Sequence, residues 1–400
     1  MNFIRDNIVK IGLALLALII LIVVVVACSG RKTENAVGVS DYTNMENKMQ
    51  SAAIKFVNKN QSLLPKTVDI SKKIQIDTLI SNNLMSELHA VEDSNVVCTG
   101  YVEITKKSED KKDYRYTPYI KCGKYYETKT IGNYIISNEE IVESGEGLYK
   151  KLVSVEEVES KADNEENNYK ESYSYYFKGE YPNNYIVLGD RIYRIIEITE
   201  DNYLKVISTN KTYYSYTWDD RYNSEKKDYK GINNFEKSRI KDTLEFLYSN
   251  TNEDNGEIYF SDTEREYIVE HDFCTGKRSE RNLTIDSESE CDTTSSLKVG
   301  LIGLNDYYRV STDPGCTSID KQECNNYNYL FSINNGTSVT YTTLIGDADD
   351  TYSYYSISSG NLELKYANRQ SYLFPVIYIN NNILYMSGSG TKEDPYIVRW

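Results

Sequence analysis

NNYIVLGDRIYRIIEITEDNYLKVIST, residues 183–209, alternates apolar and polar side chains around two turns, Gly189-Asp190 and Glu200-Asp201-Asn202. A period of two is the mark of a half-buried strand, and short runs separated by such turns make an antiparallel meander. A three-strand meander is therefore expected here, inside a domain that begins near Tyr173. Downstream, SRIKDTLEFLYSN (238–250) has the spacing of a helix, with Ser238 as its cap and Ile240, Leu244 and Leu247 as its buried stripe. A long irregular region follows, interrupted by KVGLIGLNDYYRV (298–310). Strands return at SYLFPVIYIN (371–380), NILYM (382–386) and PYIVRW (395–400).

Upstream the pattern changes. Residues Ile11 to Ala27 are almost purely apolar, long enough to cross a hydrocarbon core, with Arg5 and Lys10 before them and Arg31 and Lys32 after. An uncleaved signal-anchor helix is expected, with membrane contact through residues 11–28 and the bulk of the chain extracytoplasmic. Val25-Val26-Ala27-Cys28 also matches a lipobox, so lipidation at Cys28 is the alternative anchor. Residues Asp41 to Asn60 read as an amphipathic helix, with Met45, Met49, Ala52, Ala53, Phe56 and Val57 on one face. A short helix is expected over Asp77 to Leu88, capped by Asp77, with Leu79, Ile80, Asn83 and Leu84 along one face.

VVCTGYVEIT (96–105) and YRYTPYIKC (114–122) flank the charged patch KKSEDKKD (106–113), a hairpin signal. Centred on Asp110, this hairpin sets Cys98 opposite Cys122, close enough for a disulfide. Pro118 marks the second strand as an edge. SVEEVESKADNEENN (154–168) is acidic and nearly free of large apolar groups, which reads as a linker or exposed loop. GLYKKLVSV before it reads as a strand or as part of that linker. The expected division is a membrane anchor over 1–30, a small module over 31–130, a linker over 131–168 and a larger domain over 169–400, both modules α+β.

A formal net charge of −15 over 400 residues argues against nucleic acid as a partner. Seven cysteines are present, and six remain once Cys28 is set aside with the anchor. An even number beyond a membrane signal suggests disulfides. None lies in a C-x-x-C pair, and two histidines are too few to complete a zinc site. Short loops propose Cys274–Cys291 and Cys316–Cys324 beside Cys98–Cys122. The 38 tyrosines and the many asparagines suit a binding surface, and equally a biased codon usage.

The set GEYPNNYIVLGDRIYRIIEI, WDDRYN, SRIKDTLEFLY, DFCTGKRSE, ECDTT, VGLIGLNDYYRVS, CNNYNYL, FPVIYI and SGSGTKEDPYIV resembles a family of uncharacterised membrane-anchored exported proteins of low-GC Gram-positive bacteria. The first half is similar to a pilin-like leader: an apolar helix, an amphipathic helix with AAIKF, then a C-x-G-Y to Y-I-K-C-G hairpin. No Gly-Phe-x-x-x-Glu processing site precedes the apolar run. The second half resembles C-type-lectin-type domains more loosely. That likeness implies a strand near the domain start pairing with the last strand, with long loops between. TYTTLIG (340–346) stands where relatives carry a tryptophan motif. The resemblance carries no catalytic residues.

The remaining motifs each have a bland reading. Asp347, Asp349 and Asp350 in GDADDTY are clustered carboxylates of the kind that bind Ca²⁺, without EF-hand spacing, and solvated turn residues look the same. Asp219 and Asp220 in WDDRY are a candidate acid and base, or a turn cap. His271 with Cys274 is a candidate nucleophile pair, although an exported cysteine among others is usually oxidised. His89 reads as a surface residue. Glycine-rich phosphate loops, H-E-x-x-H and G-x-S-x-G are absent from the sequence. No catalytic residue and no cofactor is expected. The expectation is a cell-surface binding or adhesion protein for a glycan or protein. The alternatives are a structural component of an envelope or pilus-like assembly and a cryptic envelope hydrolase.

Overall fold

The computed structural model describes residues 34–400 except 69, 108, 110, 159–167, 286–289 and 334–338. The apolar run over 11–28 and Cys28 lie outside the described residues. Among those described, no helix is long and apolar enough to cross a membrane. The chain divides after Thr128 into two compact units of mixed α and β structure.

In the first unit a helix, Glu34–Lys59, packs on an antiparallel sheet of four strands in the order Lys72–Gln75, Thr99–Lys106, Tyr114–Cys122, Tyr126–Glu127. Met49, Ala52, Ala53 and Val57 recur at helical spacing and meet Val102, Ile104 and Ile120 of the sheet in one core. The short helix is Ile76–Ser81 and is cut earlier than its apolar spacing suggests. Its N-cap is Gln75, not Asp77, because the chain enters directly from the Lys72–Gln75 strand. Asn83 is exposed rather than on the buried face, and its φ of +57° is left-handed, which stops the helix.

The register Tyr101↔Tyr119 and Thr99↔Lys121 makes Cys98 and Cys122 neighbours across the ladder, and they form a disulfide with Cα atoms 4.2 Å apart. Gly100 permits this closeness, since a Cβ there would lie 2.1 Å from the Tyr119 carbonyl oxygen. Pro118 faces Val102, and the two-residue strand on its other side reaches only Lys121 and Cys122, so the strand is an edge where proline needs one. Both sulfurs also sit in the core. Closing a loop of about 25 residues is worth about 3–4 kcal/mol in the chain-entropy model. Replacing both cysteines with alanine should therefore speed amide exchange along Tyr101 to Tyr119 by about two orders of magnitude. Unchanged protection in residue-resolved hydrogen exchange would show that packing alone holds the hairpin.

The second unit is built on a sheet of nine strands. Its centre is the meander Tyr185–Leu188, Arg191–Ile198 and Leu204–Ser208, antiparallel throughout, with Gly189 (φ +61°) and Asn202 (φ +65°) in the turns. Val376–Ile379 and then Ile268–Val269 extend it on one side. On the other, Tyr396–Arg399 runs parallel to Tyr185–Leu188, and Leu384–Ser387 completes the edge. The helix Arg239–Ser249 is capped by the Ser238 hydroxyl, which accepts from the Lys241 N–H, and it buries Ile240, Leu244 and Leu247. A second sheet joins Lys277–Arg278, Thr340–Asp347, Ser353–Ser358 and Asn361–Tyr366. The disulfides Cys274–Cys291 and Cys316–Cys324 each close a short loop of this unit.

The expected linker over 131–168 is not a linker as far as it is described. Ile131–Asn138 is a helix whose Ile131 and Ile135 lie in the second unit's core. Gly147–Val158 is a strand paired with Asn168–Lys178, in a register that runs from Gly147↔Lys178 to Val158↔Asn168. Asn168–Lys178 in turn pairs with the meander through Tyr175↔Ile198 and Tyr176↔Glu197. Leu148 and Phe177 anchor this ribbon in the core, but over 150–156 it is largely exposed and needs few apolar residues, so its composition there resembles that of a loop.

Candidate functional site

The aspartates at 219 and 220 are not arranged as an acid and a base. Asp219 is fully buried, and its carboxylate accepts from Arg221 Nε at 2.7 Å, the Ile232 N–H at 2.7 Å and the Arg239 N–H at 3.3 Å. It ties the start of the Arg239–Ser249 helix to the loop before it. Asp220 pairs at the surface with Arg239 at 3.2 Å. Asp347 is buried and accepts from the Asp349 N–H at 3.0 Å, and burial raises its carboxyl above the usual range. Asp349 accepts from the Ser279 hydroxyl, and Asp350 from the Tyr352 and Ser353 N–H groups. These carboxylates are spent on the turn. Among the described residues, no group of three or more His, Cys, Asp or Glu side chains is placed to hold a metal ion.

Cys274 is joined to Cys291, so it offers no thiolate to His271. The His271 ring stacks on Tyr378 with centroids 3.8 Å apart. His89 lies in the first unit, 3.5 Å from Glu87.

Three arrangements emerge that the motif search did not anticipate. The first is a buried ion cluster. Lys205 Nζ lies 2.5 Å from Asp306, and Arg309 Nη2 lies 3.3 Å from Glu197 and 3.4 Å from Asp306. Beside it Glu290 accepts the Leu304 N–H, and the Asn305 N–H at 2.8 Å, while Asp306 accepts the Gly303 N–H at 3.1 Å. Burial pushes the Glu290 carboxyl up, and Asp306 adds repulsion. Burial would also raise Asp306, but the Lys205 ammonium and the Arg309 guanidinium outweigh it and hold that carboxyl below the usual range. Two carboxyls pushed apart in this way can serve as acid and base. Here both grip the Gly303–Asn305 turn, at the wall of a cavity of about 470 Å³.

The second arrangement is a strip of exposed tyrosines. Residues 211–230 and 366–372 are zipped together by Tyr216↔Ser371 and Thr217↔Gln370, by the Asp219 N–H to the Ala367 carbonyl at 2.9 Å, and by the Asn368 N–H to the Lys230 carbonyl at 3.2 Å. Along this seam Tyr213 and Tyr229 are 76% and 68% exposed, and Tyr214, Tyr222, Tyr366 and Tyr372 are exposed too. Tyr213 and Tyr214 meet edge to face at 4.9 Å, and Tyr222 and Tyr229 at 5.3 Å. Lys211 lies 3.6 Å over the Tyr372 ring, and Lys230 lies 4.7 Å over Tyr366. These contacts hold large flat rings at the surface in fixed poses.

The third is a cavity of about 550 Å³ beside the meander, lined by Tyr181, Pro182, Tyr185, Arg194, Ser332 and Thr391 among others. Arg194 lies in the middle of an apolar strand and is 3% exposed. Its guanidinium is sandwiched between the Tyr185 ring at 3.8 Å and the Tyr329 ring at 4.6 Å.

The signal for the first and third arrangements is present in the sequence, as charges inside apolar runs: Arg194 and Glu197 in RIYRIIEI, Lys205 in LKVIS, Asp306 and Arg309 in LNDYYRV. No family model matches the chain, and no curated protein and no solved structure matches it either.

Proposed function

We propose that this is a cell-surface binding or adhesion protein whose second unit recognises a glycan or protein through the tyrosine strip. The observation that carries the reading is the strip itself, six exposed tyrosines on two zipped segments. Tyrosine presents a large apolar face and a hydroxyl at low entropic cost, which suits sugar rings and polar protein surfaces alike. A soluble surface without a partner rarely gathers so many rings in one place. The three disulfides suit an oxidising, extracytoplasmic compartment. With the apolar run over 11–28 they support an anchored chain with its bulk outside the membrane. A lectin-like second unit is part of the same proposal. Its support is that Tyr396–Arg399, the last strand, lies beside Tyr185–Leu188, the first strand of the central meander.

The test is a glycan and surface-protein array probed with the full chain. Replacing both Tyr213 and Tyr229 with serine should weaken binding to any ligand found by about 30-fold or more, the effect of losing a single central aromatic anchor at about 2 kcal/mol. Both side chains are exposed, so the fold should be unaffected. Undiminished binding by the double variant would overturn the assignment to this strip.

A further inference from the structure

The Arg194 cavity shares no lining residue with the tyrosine strip. Of the Arg194 guanidinium, Nε donates to Asn184 Oδ1, and Nη2 is buried without a hydrogen-bond partner. Arg191, Arg221 and Arg309 each have a carboxylate at 3.5, 2.7 and 3.3 Å respectively. Arg194 has no such ion pair among the described residues, although it is as buried as the core. The Glu146 carboxylate acts on it only from beyond contact and is engaged by the Glu180 and Tyr181 N–H groups; a desolvated cation with no carboxylate in contact is costly, and its remaining N–H groups can only be satisfied by acceptors. Two tyrosine rings fix its plane, so little entropy is lost when an acceptor arrives.

The charges around the cavity decide among acceptors. Glu180 and Glu393 line it as well, and so does Lys392. The Glu180 carboxylate accepts the Tyr181 hydroxyl at 2.8 Å, while Glu146 accepts the Glu180 and Tyr181 N–H groups at 2.8 and 2.7 Å. Lining carboxylates disfavour a doubly charged phosphate and welcome hydroxyl donors. Arg194, fixed between two rings, offers a planar fork that suits a single carboxylate. Tyr181 is 73% exposed and offers a ring face for stacking. Hydroxyls, a ring face of C–H groups and one carboxylate belong together on an acidic sugar.

We propose that this cavity binds a carboxylate-bearing sugar, with the carboxylate on Arg194 and the sugar ring against Tyr181.

The experiment uses the full chain in mild detergent and three probes: a uronic-acid oligosaccharide, the same oligosaccharide with its carboxylates reduced to alcohols, and a short peptide with a free C-terminus. Calorimetry should show the uronate binding about 10-fold to 100-fold more tightly than its neutral counterpart, the range of one charge-assisted pair. That contrast needs no variant. Tyr181→Ala, at an exposed position, should weaken both sugars. Arg194→Lys should abolish the preference for the acid, provided its near-UV circular dichroism matches the parent's. Equal binding of acid and alcohol, binding of neither sugar, or preference for the peptide would each overturn the proposal.

Discussion

A chain that begins at Tyr169 should be about 5 kcal/mol or more less stable than one that begins at Lys129. The shorter chain looks complete by composition, because the acidic stretch before Tyr169 has the character of a linker. It would nevertheless lose Ile131, Ile135 and Leu148, all fully buried in the second unit's core. Each such side chain contributes about 1.5–3 kcal/mol. It would also lose the whole of Gly147–Val158, leaving residues 169–178 as an open edge. The backbone at 129–131 is bonded to the C-terminal edge as well, through the Ile131 N–H to the Ile383 carbonyl at 2.8 Å and the Tyr385 N–H to the Lys129 carbonyl at 3.0 Å. Urea unfolding of both chains, each made in an oxidising compartment, measures the difference. Equal midpoints, or a higher one for the chain from Tyr169, would restore the linker reading. Cleavage between 159 and 167 should leave the two flanks paired under native conditions, because the ladder between them is antiparallel and long.

The parts of this fold that could be read from sequence are those where one local pattern has one structural solution. The meander over 185–208 alternates because its neighbours in sequence are also its neighbours in the sheet. The cysteines at 98 and 122 are equidistant from Asp110, and a hairpin makes equidistant residues partners. The outer part of the ribbon, around 150–156, defeats the same logic, since an exposed two-stranded ribbon and a disordered linker share a composition. Charged side chains inside strands are harder still. Tyr193, Arg194, Ile195 and Ile196 are all buried, so both faces of the strand are covered there and alternation no longer says which way a residue points. Tyr185 is the cross-strand partner of Arg194 in the meander, but whether a carboxylate, as at Arg309, or the Tyr329 ring meets it as well depends on segments far away in sequence. The tyrosine strip is of the same kind: its members are plain in composition, but only the pairing of 216–217 with 370–371 gathers them.

Asp306→Asn should cost about 3–5 kcal/mol, the range for removing one partner of a buried ion cluster. Asp306 is 6% exposed and holds two cations at once, Lys205 and Arg309. Asparagine keeps the volume and one acceptor for the Gly303 N–H, so the loss is electrostatic. Glu197 alone would then face two desolvated positive charges. For a unit of this size a melting point lower by about 10 °C is expected. The sign of the pH effect follows from the direction of the shift. Asp306 is held below its ordinary value, so its contribution is present above about pH 3.9, the unfolded value, and is lost as pH falls through the lower folded one. Glu290 runs the other way: its raised carboxyl favours the folded state below about pH 4.3, and that contribution fades as pH rises through its folded value. The parent should therefore lose more stability than the asparagine variant on acidification below about pH 4, while Asp313, Asp320 and Glu236, also held low, erode both alike. Pairing the change with Lys205→Met should cost less than the sum of the two single changes, by about 0.5–3 kcal/mol, because the second removes a charge that the first leaves bare. Calorimetric melting from pH 3 to pH 7 reads all three quantities. A single variant that melts within a degree of the parent would mean that water screens the cluster, and strict additivity would mean that Lys205 and Asp306 do not act on one another.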